Sequence, residues 1–360
     1  MSAVQVDAAA AAIAPVETGR HLVTTRSPWW SMRFDVRSIV VGAVLVLLCA
    51  VMVVLSVSSG SYTIPIPDVI ATLAGRGSGG STLVILEWRL PRALIAVIFG
   101  AALAISGAIF QSLTRNPLGS PDIIGFASGS YTGAIVALIA FGGGYMATAI
   151  GSLVGGLATA IIVFALAYRR GVQGFRLIII GIGVAAMLGA FNSWLILRAP
   201  VEVAMRAGIW GSGSLNGMSA AQLAPSLIIF AILLPFALAL GPSLRQLELG
   251  DDAAAALGTR TTIARLAAVV LGIALTAAVT ATAGPIAFIA LVAPQIAKRL
   301  TRSSGISLLP AAALGGLLLV FADYLAQRVF APVQLPVGLL TVSIGGLYFV
   351  YLLVREYRAR

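Results

Sequence analysis

The side chains able to do chemistry are scarce in this chain, and their spacing argues against a reaction. It holds one histidine, His21, one cysteine, Cys49, and one lysine, Lys298. No His/Cys set exists for zinc, haem or an iron–sulfur cluster. Cys49 sits in an apolar run and has no partner for an intrachain disulfide. A serine–histidine intramembrane protease would need its base among the apolar runs, and His21 lies outside them. The phosphate-cradling Gly-x-x-x-x-Gly-Lys-[Ser/Thr] loop is absent, so the chain is not its own ATPase. No resident cofactor is expected.

Acids inside apolar runs usually mark ion or proton relays. Asp323 is the main instance here. It stands about a turn and a half before Arg328 and is read as an interfacial acid with a basic neighbour rather than an ion site. Asp122 follows Ser120 and Pro121 and is read as a helix-start residue, with Ser as N-cap and Pro at the first helical position. So few acids argue against a self-powered secondary transporter, though not against a passive channel. Asn192 and Ser193, with Thr276, Thr280 and Thr282, are neutral polar groups in apolar runs. They either hydrogen-bond between helices or line a polar pathway, and Asn192 and Ser193 are the candidate pathway residues.

The elements that hold these residues belong in lipid. The chain is 59% apolar and 10% charged, with mean hydropathy +1.03. Soluble domains run near 45–50% and about 25%. The prediction is an all-α polytopic membrane protein with about ten spans. These are Ser38–Ser58, Pro91–Ser112, Pro121–Phe141, Thr148–Ala167, Arg176–Leu197, Gln222–Leu240, Ile263–Ala283, Pro285–Leu300, Leu308–Val329 and Val337–Val354. The eighth, entered through Gly284-Pro285, is the weakest. Residues 59–88 and 198–220 read as polar loops. Residues 1–33 have no basic stretch ahead of the apolar letters and no cleavage site, so a disordered cytoplasmic tail is expected, with residues 34–360 as the membrane domain.

Charge sets the orientation. With both termini inside, 17 of the 23 Lys and Arg fall on the cytoplasmic side. The net charge of +11 is therefore read as positive-inside topology and not as nucleic-acid binding. Arg76, Arg89, Arg92, Arg198, Arg206 and Arg328 remain outside. Small residues recur, as in Gly129-x-x-x-Gly133 and Gly151-x-x-x-Gly155, and close helix packing is the favoured reading. The longest charged interlude, about residues 242–262, reads as two short helices on the inner surface. Pro242 starts it, Gly250 breaks it, Asp251 and Asp252 cap an Ala-rich turn, and Gly258 ends it.

Several blocks carry a family resemblance. The pattern RLPR…GAxLxxSG…Q…NPLxxPxxxG stands at Arg89–Arg92, Gly100–Gly107, Gln111, Asn116–Leu118, Pro121 and Gly125. Further blocks are Phe175–Gly183, Ala283–Arg299 and Leu335–Gly346, so roughly residues 38–356 take part. Together they resemble the FecCD/cobalamin-type permeases, the membrane subunits of type II ABC importers. The runs IFQSLTRNPLGSPDIIGF, FRLIIIGIG and WGSGSLNG look most like permeases of ferric-enterobactin-type importers. The resemblance implies a bacterial cytoplasmic-membrane protein that passes a ferric siderophore, and its alternatives are another iron chelate, haem or cobalamin. It implies a second permease subunit, a related chain that forms a heterodimer with this one, a substrate-binding protein and a pair of ATP-binding subunits that hold ATP and magnesium. It assigns Leu249, Gly250, Asp251, Asp252, Ala255, Leu257 and Gly258 to the ATPase-coupling element. It assigns the outer Arg89, Arg92 and Arg328 to docking of the binding protein; the bland alternative is snorkelling to lipid phosphate.

Overall fold

The computed structural model describes residues 22–27, 30–60, 62–77, 79–142, 144–167 and 174–358. The chain enters through two short strands, β1 (Leu22–Ser27) and β2 (Trp30–Asp35), paired antiparallel from Leu22–Asp35 to Ser27–Trp30. Part of the expected tail is thus a hairpin. In this register Val23, Thr24 and Thr25 stand opposite Phe34, Arg33 and Met32. Residues 1–21 lie outside the described part.

Helices make up the rest. In order they are α1 (Val36–Ser58), α2 (Ile66–Leu73), α3 (Gly80–Leu83), α4 (Leu90–Thr114), α5 (Phe126–Phe141), α6 (Tyr145–Ala167) and α7 (Gly174–Arg198). Then come α8 (Val201–Gly211), α9 (Ala220–Glu248), α10 (Asp251–Ala256), α11 (Thr261–Ala283), α12 (Ile289–Thr301), α13 (Leu308–Arg328) and α14 (Val337–Arg358). Among the described residues seven helices are long and apolar enough to cross a membrane, with Phe126–Phe141 and Val337–Tyr348 as shorter apolar helices. The chain is a helical multi-pass membrane protein.

The bundle is built around α4. Its sequence is apolar or small on every side, the mark of a helix without a solvent face. Most of it, from Ala93 to Leu113, is buried among α9, α11, α12 and α13. Glycine sets its closest crossing. A methyl group at Gly100 would run into the Gly315 carbonyl of α13, and one at Gly315 into that of Gly100. The same logic joins α5 to α6, where Gly129 and Gly133 face Gly155 and Gly151. By contrast α1, α7 and α9 leave most of their apolar side chains exposed, as a lipid-facing or partner-facing surface requires.

Several local expectations need correction. Residues 59–88 hold α2, α3 and a π-turn (Val84–Arg89) that runs into α4, and 198–220 hold α8. Pro121–Ile124 is a 3-10 turn; Ser120 makes no side-chain cap there, and the helix proper starts at Phe126. After Gly284 the chain stays non-helical until Ile289, and Phe288 holds a left-handed φ of 69°. Pro242 does not start a new helix. It lies within α9, which runs on to Glu248, so α10 is the single short helix of the 242–262 interlude.

Candidate functional site

The two ends of α4 carry one arginine each that ties the helix to distant segments. Arg115 closes α4 as its C-cap, in a left-handed conformation with φ 49°. Its Nε donates to the Leu247 carbonyl of α9 at 2.9 Å, and its Nη2 meets Asp251 of α10 at 2.5 Å. Arg265 of α11 donates to the same Asp251 oxygen. Beneath α10, Leu247, Ala254 and Ala264 form a small apolar cluster. The turn into α10 needs φ 117° at Gly250, a region that disfavours any residue with a Cβ. Thus α10 is held by one face and presents the other.

This divides the seven expected coupling residues. Leu249 and Leu257 are 69% and 59% exposed, and Asp252, Ala255 and Gly258 are exposed beside them. Gly250 is the bend. One oxygen of Asp251 braces Arg115 against Arg265, while its side chain stays 47% exposed. The two acids that read alike in sequence stand in different settings, Asp251 ion-paired and Asp252 exposed.

At the other end, Arg92 stands in the first turn of α4. Its Nη2 pairs with Asp323 of α13 at 2.8 Å, and Nε reaches the second carboxylate oxygen at 3.0 Å. The Asp323 side chain is fully buried and that of Arg92 is 12% exposed. Gln327 donates to Asp323 at 2.8 Å. The remaining Arg92 donors go to the side-chain oxygens of Gln334 at 3.0 Å and Asn216 at 2.7 Å. Asp323 therefore pairs with a basic residue 231 positions away, not with Arg328, which donates to the Gly60 carbonyl at 3.2 Å. Arg89 donates to the carbonyls of Val57 at 2.9 Å and Tyr62 at 2.6 Å, closing the end of α1. All three expected docking arginines are engaged inside the chain.

Asn216 and Gln334 are neutral residues in loops, and in sequence only the WGSGSLNG block marks the first. Nothing in either residue type tells that a buried ion pair borrows it.

The candidate pathway residues also separate. Asn192 is 4% exposed, accepts from Thr132 of α5 at 2.7 Å and donates to the Ser128 carbonyl at 3.3 Å. It joins α7 to α5. Ser193 only back-bonds to Gly189 at 3.0 Å and lies on the exposed face of α7. In the middle of the bundle, Ser106 of α4 shares a 2.9 Å contact with Thr276 of α11, a helix-joining role for that threonine. Gln295 donates to Gln111 at 2.7 Å, tying α12 to α4.

Known proteins match this architecture along nearly its whole length. The FecCD transport family model covers residues 41–355. The ferric enterobactin transport system permease protein FepG of Escherichia coli (strain K12) is 49% identical over 324 residues, 90% of this chain and 98% of that protein. The probable siderophore transport system permease protein YfhA of Bacillus subtilis (strain 168) is 37% identical, over 88% and 94%. In structure, a metal-chelate type ABC transporter in an inward-facing conformation superposes with a TM-score of 0.79 at 28% identity, covering 88% of this chain and 99% of that one. A helical bundle matched along nearly its whole length by transport permeases, this chain belongs to the FecCD transport family.

Proposed function

We propose that the chain is the permease subunit of an ABC importer that carries a ferric siderophore of the enterobactin type across the bacterial cytoplasmic membrane. The observation that supports this most is 49% identity to a ferric enterobactin permease over 90% of this chain. In this reading the end of the bundle bearing Arg115, Arg245, Arg260, Arg265, Lys298, Arg299 and Arg302 is cytoplasmic, which makes both termini internal and gives ten crossings. The ten comprise the seven long helices, the shorter α5 and α14, and α12 as a partial crossing entered at Ile289.

A separate pair of ATP-binding subunits, holding ATP and magnesium, docks on α10. Exposed Leu249, Asp252, Ala255 and Leu257 form the contact, and Asp251 keeps the element in place. A second permease packs on the exposed faces of α7 and α14. On α7, Gly183 and Gly189 have open space where a side chain would stand, beside exposed Ala186, Ala190 and Ser193. The pathway then runs between the two permeases, with Ser193 on its wall. The substrate-binding protein meets the outer end through Arg76, Arg198 and Arg206, which are exposed there, since Arg89, Arg92 and Arg328 are engaged internally. Nucleotide binding and hydrolysis shift the equilibrium between outward and inward access.

The test is reconstitution. The chain is co-expressed with candidate ATPase and permease partners, and the purified assembly is placed in vesicles with the binding protein. Uptake of radiolabelled ferric enterobactin that requires ATP supports the proposal. Concentrative uptake by the lone chain without nucleotide overturns it.

A further inference from the structure

We infer that a groove between α6 and α9 is a binding site for one acyl chain of a membrane phospholipid. The cavity holds about 340 Å³, and α4 and α11 form its floor. Its lining changes character along its length. Tyr145, Gln222 and Thr282 gather at one end, and Phe99, Leu233 and Leu275 line the part further in. Tyr145 opens α6, Gln222 stands in the first turn of α9 and Thr282 in the last turn of α11, so the polar mouth lies at the end of the bundle that also bears Arg92. From Gln222 to Leu233 a helix rises about 16 Å, close to the ~15 Å depth of one leaflet's hydrocarbon.

The polar mouth suits an amphiphile. The Gln222 carboxamide oxygen accepts from the Ser219 backbone at 3.0 Å and from its hydroxyl at 2.9 Å. Its amide nitrogen has no partner among the described residues and remains free to donate. The ester carbonyls and phosphate of a lipid headgroup offer acceptors only, which complements that donor. The groove also opens sideways onto the apolar belt. Met146 and Ile229 on its rim are 66% and 42% exposed, and beside the groove α9 carries on the apolar belt with Ile228 and Ile232 at 59% and 56%. A water-filled cleft would find almost no partners below the mouth, whereas a hydrocarbon chain needs none. The lipid in this site stands between α6 and α9, and it fills space against α4 that no side chain of this chain occupies.

The experiment uses the full chain, alone and co-purified with its partners, in nanodiscs of phosphatidylethanolamine and phosphatidylglycerol. The probe is a phosphatidylethanolamine with a diazirine on one acyl chain, and cross-linked peptides are mapped by mass spectrometry. Labelling is expected to concentrate on residues 221–233 and on the start of α6. Ala278→Phe, which fills the floor, is expected to cut that labelling at least tenfold, and Ile232→Phe, on the belt beside the groove, to leave it unchanged. Ser226→Leu fills the other wall and stands in should Ala278→Phe fail to fold, as judged by its thermal midpoint. Even labelling around α1, α7 and α9 overturns the site. So does undiminished labelling in a folded filled variant, or loss of labelling when the partners assemble, which would give the groove to a protein.

Discussion

Arg92 and Asp323 meet at 2.8 Å across 231 positions of sequence, and the carboxylate is wholly buried. The pair fastens the start of α4 to the last turns of α13 at the end where Asn216 and Gln334 join it. In a low-dielectric interior, removing one member of such a pair leaves the other charged and unpaired.

Asp323→Asn is therefore expected to destabilise the chain by about 3–5 kcal/mol, the usual penalty for breaking a buried ion pair from one side. Replacing both members, as in Arg92→Met with Asp323→Leu, should recover most of that loss. Chemical unfolding followed in detergent measures both. Equal instability of the single and double variants would show that the pair's geometry, not its charge, holds the two helices.

The crossing of α4 and α13 is set by the mutual approach of Gly100 and Gly315. Gly100→Val pushes the backbones apart and is expected to cost about 1–3 kcal/mol or more, as overpacking does. Gly183→Val on α7 meets open space within this chain and should leave its thermal midpoint unchanged. If the second permease packs there, the same change lowers its recovery on co-purification.

Asp251 and Asp252 should behave differently although adjacent. Asp252→Asn is expected to weaken ATPase capture without moving the thermal midpoint. Asp251→Asn removes a partner from both Arg115 and Arg265, so it frees α10; exposed pairs of this kind contribute about 0–1 kcal/mol each, and the global midpoint should shift little. Hydrogen exchange across residues 249–260 separates the two, with faster exchange in Asp251→Asn alone.

Arg89 closes the end of α1 through the carbonyls of Val57 and Tyr62. Arg89→Leu should raise protease sensitivity around residues 57–62 and leave capture of the binding protein intact. Charge reversal at Arg198 or Arg206 should do the opposite, slowing association and weakening its salt dependence. Surface plasmon resonance at two ionic strengths checks this.

Asn192→Leu removes two hydrogen bonds between α7 and α5. Polar links of this kind between membrane helices average about 0.6 kcal/mol and reach about 1.7. A modest drop in thermal midpoint with unchanged substrate affinity is expected; altered affinity would return Asn192 to the pathway.

Composition and pattern by themselves determined much of this protein. Lipid solubility follows from 59% apolar residues, and the helical crossings follow because a backbone in lipid must satisfy its own hydrogen bonds. The small-residue crossing of α5 and α6 and the exposed element after Gly250 were legible for the same reason: each rests on residues close in sequence. What only the tertiary structure decided is which distant side chains meet. Asp323 had a near basic neighbour in Arg328, yet the buried partner is Arg92, because α13 packs against α4 at Gly100 and Gly315 and brings the two ends together. Asp251 and Asp252 carry the same charge one position apart, but successive residues on a helix point about 100° away from each other, so one faces Arg115 and the other faces outward. Pro242 shows the converse. A local break signal was overridden because the helix it interrupts is held on both sides of it, by Ala237 and by Leu244, in the core.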